Sequence, residues 1–142
     1  MPDPALPTEL TTALQVVTMP RDANQYGTIF GGVILSYIDQ AGFIEVRRHG
    51  THRWVTVALD SVEFKAPVLV GDLVTFRTCT VRLGTKSVRV RIVVEAERYS
   101  TLEVVTVTEA EMTMVAVDAS GAPIPFRHPS TVSESASFGA EA

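Results

Sequence analysis

Cysteine is nearly missing from this 142-residue sequence: Cys79 stands alone, which excludes an internal disulfide framework and a cysteine-rich zinc site and suits a reducing compartment. Positive charge is also short. Asp and Glu outnumber Lys and Arg by 16 to 12, a formal net charge of −4, which argues against a general nucleic-acid binder. The longest apolar stretch, Phe30 to Val46, is interrupted by Asp39, Gln40 and Glu45 and so reads poorly as a membrane span. The start, Met1-Pro2-Asp3-Pro4, lacks the basic end and apolar run of a secretory signal. No Gly-x-Ser-x-Gly elbow and no solenoid or propeller repeat occurs. These absences predict a cytoplasmic domain with neither a nucleic-acid nor a membrane partner.

What is present is apolar and β-branched. Hydrophobic residues make up 46% of the chain, enough for one well-buried core. Valine and threonine supply 37 residues, a bias toward extended structure. Strands are predicted near 11–18, 53–65, 72–83, 86–98 and 103–118. In the fourth, Val88, Val90, Ile92 and Val94 share one face while Ser87, Arg89 and Arg91 take the other. In the second, apolar residues shift from odd to even positions, which predicts a bulge near Asp60-Ser61. Gly84-Thr85 is short enough for a tight hairpin joining antiparallel neighbours. Proline near the start and small polar residues near the end mark 1–10 and 127–142 as flexible tails around a single domain at 11–126.

Between the first two strands, 31–48 reads as a helix that holds no proline and ends at Gly50. Apolar side chains occupy nearly every side of it, as in a helix wrapped by other structure. One antiparallel sheet of five strands curling around that helix satisfies the order of elements, an α+β architecture. Gly32, Ser36, Asp39 and Gly42 place a narrow small-and-polar stripe along it. Asp39, amid apolar neighbours, is either a buried carboxylate satisfied by adjacent donors or a group poised for general-base work. The approach, Asn24 to Gly32, brings glycines to the helix start, where open amides can bind an oxygen carrying negative charge, although a plain turn explains the same residues. Gly31 and Asp39 would lie about 12 Å apart along one helix, too far to act on one carbonyl. Two antiparallel helices related by a twofold axis would bring the start of one to the middle of the other.

Met19-Pro20-Arg21-Asp22-Ala23-Asn24, Gly27-Thr28-Ile29-Phe30-Gly31-Gly32 and Asp39-Gln40-Ala41-Gly42 together resemble the bacterial acyl-CoA hydrolase branch of the hotdog-fold thioesterases. Val55-Thr56-Val57-Ala58, Ser61, Phe64, Pro67, Gly71-Asp72, Gly84, Ser87 and Val115-Ala116-Val117-Asp118 extend the likeness over about 14–126. The resemblance implies a hotdog fold, homodimers often assembled into hexamers as trimers of dimers, and hydrolysis of acyl-CoA to free fatty acid and coenzyme A, with no cofactor beyond the substrate. It implies that Asp39 is the catalytic carboxylate, acting on water or on the thioester directly. It also implies that Asn24 orients water or substrate and that the Gly31 amide, from the opposite subunit, holds the thioester oxygen. Thr28 departs from the Asp or Asn common there, while Phe30 agrees with the bacterial branch.

Arg82, Lys86, Arg89 and Arg91 concentrate positive charge in an acidic protein and suit the phosphates of coenzyme A, although a solvated outer strand face explains the same cluster. With Gly32, Gly84 and Ser87, the residues Arg82, Lys86 and Arg89 form the expected coenzyme A contacts. His49 and His52 read as ordinary surface, with no metal expected, and Cys79 as a small buried hydrophobe. Trp54, Phe64 and Phe76 are core residues or the lining of an acyl channel. The alternatives to a hydrolase are a non-catalytic acyl-CoA binding or sensing module and a hotdog dehydratase, the latter disfavoured because no histidine accompanies Asp39.

Overall fold

The computed structural model describes residues 6–132. Of the expected tails, 1–5 and 133–142 lie outside the described residues. Five strands form, β1 (Thr11–Val17), β2 (Arg53–Phe64), β3 (Leu73–Leu83), β4 (Ser87–Glu97) and β5 (Val104–Val117), with one long helix, α1 (Gly31–Val46). All pairings are antiparallel, in the order β1-β3-β4-β5-β2. The five-stranded sheet and single helix of the hotdog fold are therefore present. No helix among the described residues is long and apolar enough to cross a membrane.

Parity along the strands explains which face the helix covers. Val88, Val90, Ile92 and Val94 of β4 are fully buried beneath α1, together with Val74 and Phe76 of β3 and Met112 of β5. From the helix, Ile34, Ile38, Ala41 and Val46 point into them. The opposite sheet face carries cross-strand ion pairs, Arg77 with Glu95 at 2.6 Å and Arg91 with Glu109 at 2.6 Å. The expected bulge in β2 lies between Asp60 and Glu63, where Ser61 takes a positive φ of 53°. The β3–β4 hairpin closes at Gly84, whose amide donates to the Ser87 carbonyl.

Two expectations change. The apolar pattern predicts a helix wrapped on nearly every side, but the sheet covers one face only, and Gly32, Ser36, Asp39, Gln40 and Phe43 are exposed. Among the described residues no strand closes around the other side, because β1 and β2 end the sheet. Gly42, grouped with that stripe, belongs to the core face instead: it is buried, and a Cβ there would overlap Met112 Sδ. Replacing Gly42 by Ala gains about 1 kcal/mol of helix propensity, against overpacking of about 1–3 kcal/mol. Urea titration is expected to show a net loss of stability of up to about 2 kcal/mol.

The C-terminal segment from 127 to 132 folds back along residues 50–52. Thr131 donates its amide to the Thr51 carbonyl, and His52 Nδ1 lies 2.9 Å from Thr131 Oγ1. His52 was expected at the surface, yet it is buried, with Nε2 2.8 Å from the Phe126 carbonyl. The returning strap and Phe126 just before it supply its two partners.

Candidate active site

The exposed stripe of α1 and the free edge of β2 lie side by side, joined by one short contact. Thr56 Oγ1 of β2 donates to Asp39 Oδ1 at 2.5 Å. Both residues are exposed, so the Asp39 carboxylate is not sequestered within the single chain as its apolar sequence neighbours suggested. Around the pair stand exposed apolar side chains, Phe43 of α1 and Val55 and Val57 of β2, with Val57 57% exposed. An uncovered strand edge flanked by apolar side chains favours pairing with another chain. Thr56 had no assigned role in the sequence, because a threonine in a valine-rich strand looks like any other β-former.

At the start of α1 the approach loop is held from both sides. Asn24 Oδ1 accepts from the amides of Tyr26 and Thr28, and Asn24 Nδ2 donates to Thr28 Oγ1 at 2.8 Å. Asn24 therefore shapes the loop, and Thr28, the departure from the resembled pattern, completes that bonding. Gly27 allows the turn with φ 84°. The Ile29 amide donates to the Val68 carbonyl at 2.8 Å, which docks the loop on 66–68. Phe30 precedes α1 and offers no side-chain cap, and the Gly31 and Gly32 amides find no acceptor among the described residues. These open donors face an anion-favouring helix end.

Beside Gly31 opens a cleft of about 410 Å³, lined by Ile29, Ile34, Phe64, Ala66, Pro67 and Val68 among others. Phe64 sits at its mouth, 52% exposed, and a Cβ on Gly31 would lie 3.4 Å from Phe64 Cζ. Of the three aromatic residues considered for a channel, Phe64 alone lines it. Trp54 packs on Phe126 with centroids 6.0 Å apart, and Phe76 packs on Tyr37 at 5.7 Å. Arg98 secures the cleft wall by donating to the Pro67 carbonyl at 3.0 Å and to the buried Asp72 at 2.6 Å.

The basic group divides. Arg82, Gly84, Ser87 and Arg89, with Thr113, surround a hollow of about 180 Å³. Arg89 is committed to two carboxylates, Asp60 at 2.7 Å and Glu111 at 2.7 Å, and these bonds raise its pKa further. Lys86 is exposed and outside that hollow, and Gly32 lies on α1 beside Gly31. The ion pairing of Arg89 depends on residues 29 and 22 positions away, so sequence proximity could not reveal it.

At the other end of α1, buried Glu45 accepts from Thr78 and Thr80, and His49 Nε2 lies 2.8 Å from Thr80 Oγ1. Burial lowers the His49 pKa against the opposing pull of Glu45. Burial raises that of the Cys79 thiol, which leaves it a poor nucleophile.

Residues 26–102 match the family model of the Thioesterase superfamily. The uncharacterized acyl-CoA thioester hydrolase YkhA of Bacillus subtilis is 36% identical over 106 residues, 75% of this chain and 62% of that protein. This chain therefore spans less than two thirds of that relative. The acyl-CoA thioester hydrolase YciA of Salmonella typhimurium is 36% identical over 115 residues, 79% of this chain and 86% of its own length. Among solved structures, a hexameric hotdog fold thioesterase of Campylobacter jejuni is 39% identical, with a TM-score of 0.77 over 81% of this chain and 89% of that one.

Proposed function

The chain belongs to the Thioesterase superfamily, and we propose that it hydrolyses acyl-CoA thioesters to a free acid and coenzyme A. The observation that carries this reading is one helix presenting two incomplete halves of a site. Its uncapped start offers the Gly31 amide beside an apolar cleft, and its middle offers Asp39 held by Thr56. Eight residues of helix separate them by about 12 Å. Neither half can serve the other within one chain.

A twofold dimer completes both. In it, the exposed stripe of α1 and the free edge of β2 meet their counterparts, covering Val55, Val57 and Phe43 and desolvating Asp39. Relatives with hexameric structures suggest that such dimers associate further. Asp39 takes a proton from water as the water oxygen attacks the thioester carbonyl carbon. The Gly31 amide of the partner subunit donates to the developing oxyanion. On collapse the C–S bond breaks, the sulfur leaves with the proton that Asp39 accepted, and the acid remains. Asn24 acts as a positioning residue that keeps the approach loop, and with it the Gly31 amide, in place. Arg82, Gly84, Lys86 and Ser87 are assigned to the phosphates of coenzyme A, with Arg89 ordering that surface through its carboxylate pairs.

Free-thiol release from acyl-CoA of increasing chain length tests the reading. Hydrolysis at kcat/KM of about 10⁴ M⁻¹s⁻¹ or more for the best member is expected. Tight acyl-CoA binding with no thiol released would instead identify a sensing module.

A further inference from the structure

Among the described residues, one buried side-chain polar atom lacks a hydrogen-bond partner: the hydroxyl of Thr108. The residue is 0% exposed. A buried hydroxyl without a partner is costly, and valine would fill nearly the same space without that cost. Its position in β5 is set by an irregularity in the β4 pairing, where Val94 is opposite Thr108 but Glu95 is opposite Thr106. As a result Val107 and Thr108 are both buried, although they are consecutive.

Thr108 lines the cleft beside Gly31. Apart from the open Gly31 amide at the mouth, backbone donors around that cleft are occupied: the Ile29 amide by the Val68 carbonyl, and the Lys65 and Ala66 amides by the Val107 carbonyl. The Lys65 ammonium is paired with Glu109. The Thr108 hydroxyl is therefore an unused donor and acceptor in a mostly apolar wall. Depth separates it from the reaction. Gly31 and Phe64 border the solvent, whereas Thr108 is fully covered, so a substrate oxygen reaches its hydroxyl only by displacing the side chains over it.

We propose that this cleft takes the acyl group and that Thr108, at its floor, selects acyl chains bearing a hydroxyl or keto oxygen beyond the thioester carbonyl. The inference rests on the hydrolase reading for the direction in which the substrate enters. A volume of about 410 Å³ is ample for a short substituted chain. A wall group that pairs with a substrate oxygen penalises the analogue without it, because the hydroxyl is then left unpaired again.

The test compares 3-hydroxybutyryl-CoA with butyryl-CoA. For the natural sequence, kcat/KM is expected to favour the hydroxylated thioester by about tenfold or more. Thr108→Val should bring that ratio to about one, while Thr108→Ser, which keeps the hydroxyl, should retain the preference. Calorimetric binding of both thioesters to the Asp39→Asn protein reads the same preference without turnover. Preferential binding accompanied by no hydrolysis in the unmutated protein would remove the hydrolase reading and support the subsite. Hydrolysis of both thioesters with the same ratio in the unmutated and Thr108→Val proteins would overturn the subsite and leave the hydrolase reading standing. Should Thr108→Val not fold, loss of the preference in Thr108→Ser would overturn the proposal and its retention would support it.

Discussion

Asp39→Asn is expected to lower kcat/KM for acyl-CoA hydrolysis by about a thousandfold or more, because a general base contributes about 10²–10⁴ to the rate and an amide cannot accept the proton. Few substitutions here should separate chemistry from folding so cleanly. The side chain is exposed in the single chain, and its one side-chain hydrogen bond among the described residues is that from Thr56. Asparagine keeps an oxygen in the same place to accept that bond, so β2 and α1 remain tied. Thiol release should vanish while the circular dichroism spectrum and elution volume stay unchanged. Thr56→Val supplies a graded comparison: it keeps the carboxylate but frees its orientation, and a fall of about tenfold is expected. Wild-type turnover by Asp39→Asn would remove the carboxylate from the mechanism.

Legibility in the sequence followed the range of the interaction. Alternation in β4 and the parity change near Ser61 are local patterns, and both announced the backbone that forms. Asp39 stood out for a similarly local reason, a carboxylate within an apolar run. The covering of the helix was not legible, because apolar residues on every side of α1 do not say whether their cover comes from the same chain or another. Gly32 and Gly42 look alike in sequence, yet one faces open space and the other Met112 Sδ. The burial of His52 is not legible locally because it depends on chain returning from about 75 residues later, through Phe126 and Thr131. Thr56 and Thr108 were concealed by composition. In a sheet rich in valine and threonine, the hydroxyl that touches Asp39 and the one that touches nothing are spelled alike.

Whether the two halves of the site belong to different subunits can be decided by mixing two inactive proteins. The Gly31 amide can be deleted without breaking the helix: Gly31 is the first residue of α1, where proline is tolerated, and Phe30 before it has φ −56° and ψ 135°, suited to a residue preceding proline. The added Cβ would meet Phe64 Cζ at 3.4 Å, an ordinary contact. Loss of one oxyanion donor should reduce kcat by about 10²–10³. In a dimer with one Gly31→Pro subunit and one Asp39→Asn subunit, one site inherits both defects. The other receives an intact Asp39 from the first and an intact Gly31 amide from the second. Random assembly from equal amounts makes half the dimers mixed, each with one whole site, so co-refolded protein should recover about a quarter of wild-type activity. A mixture no more active than its parents would place Asp39 and Gly31 in service of the same chain, a geometry that their separation along a single helix opposes.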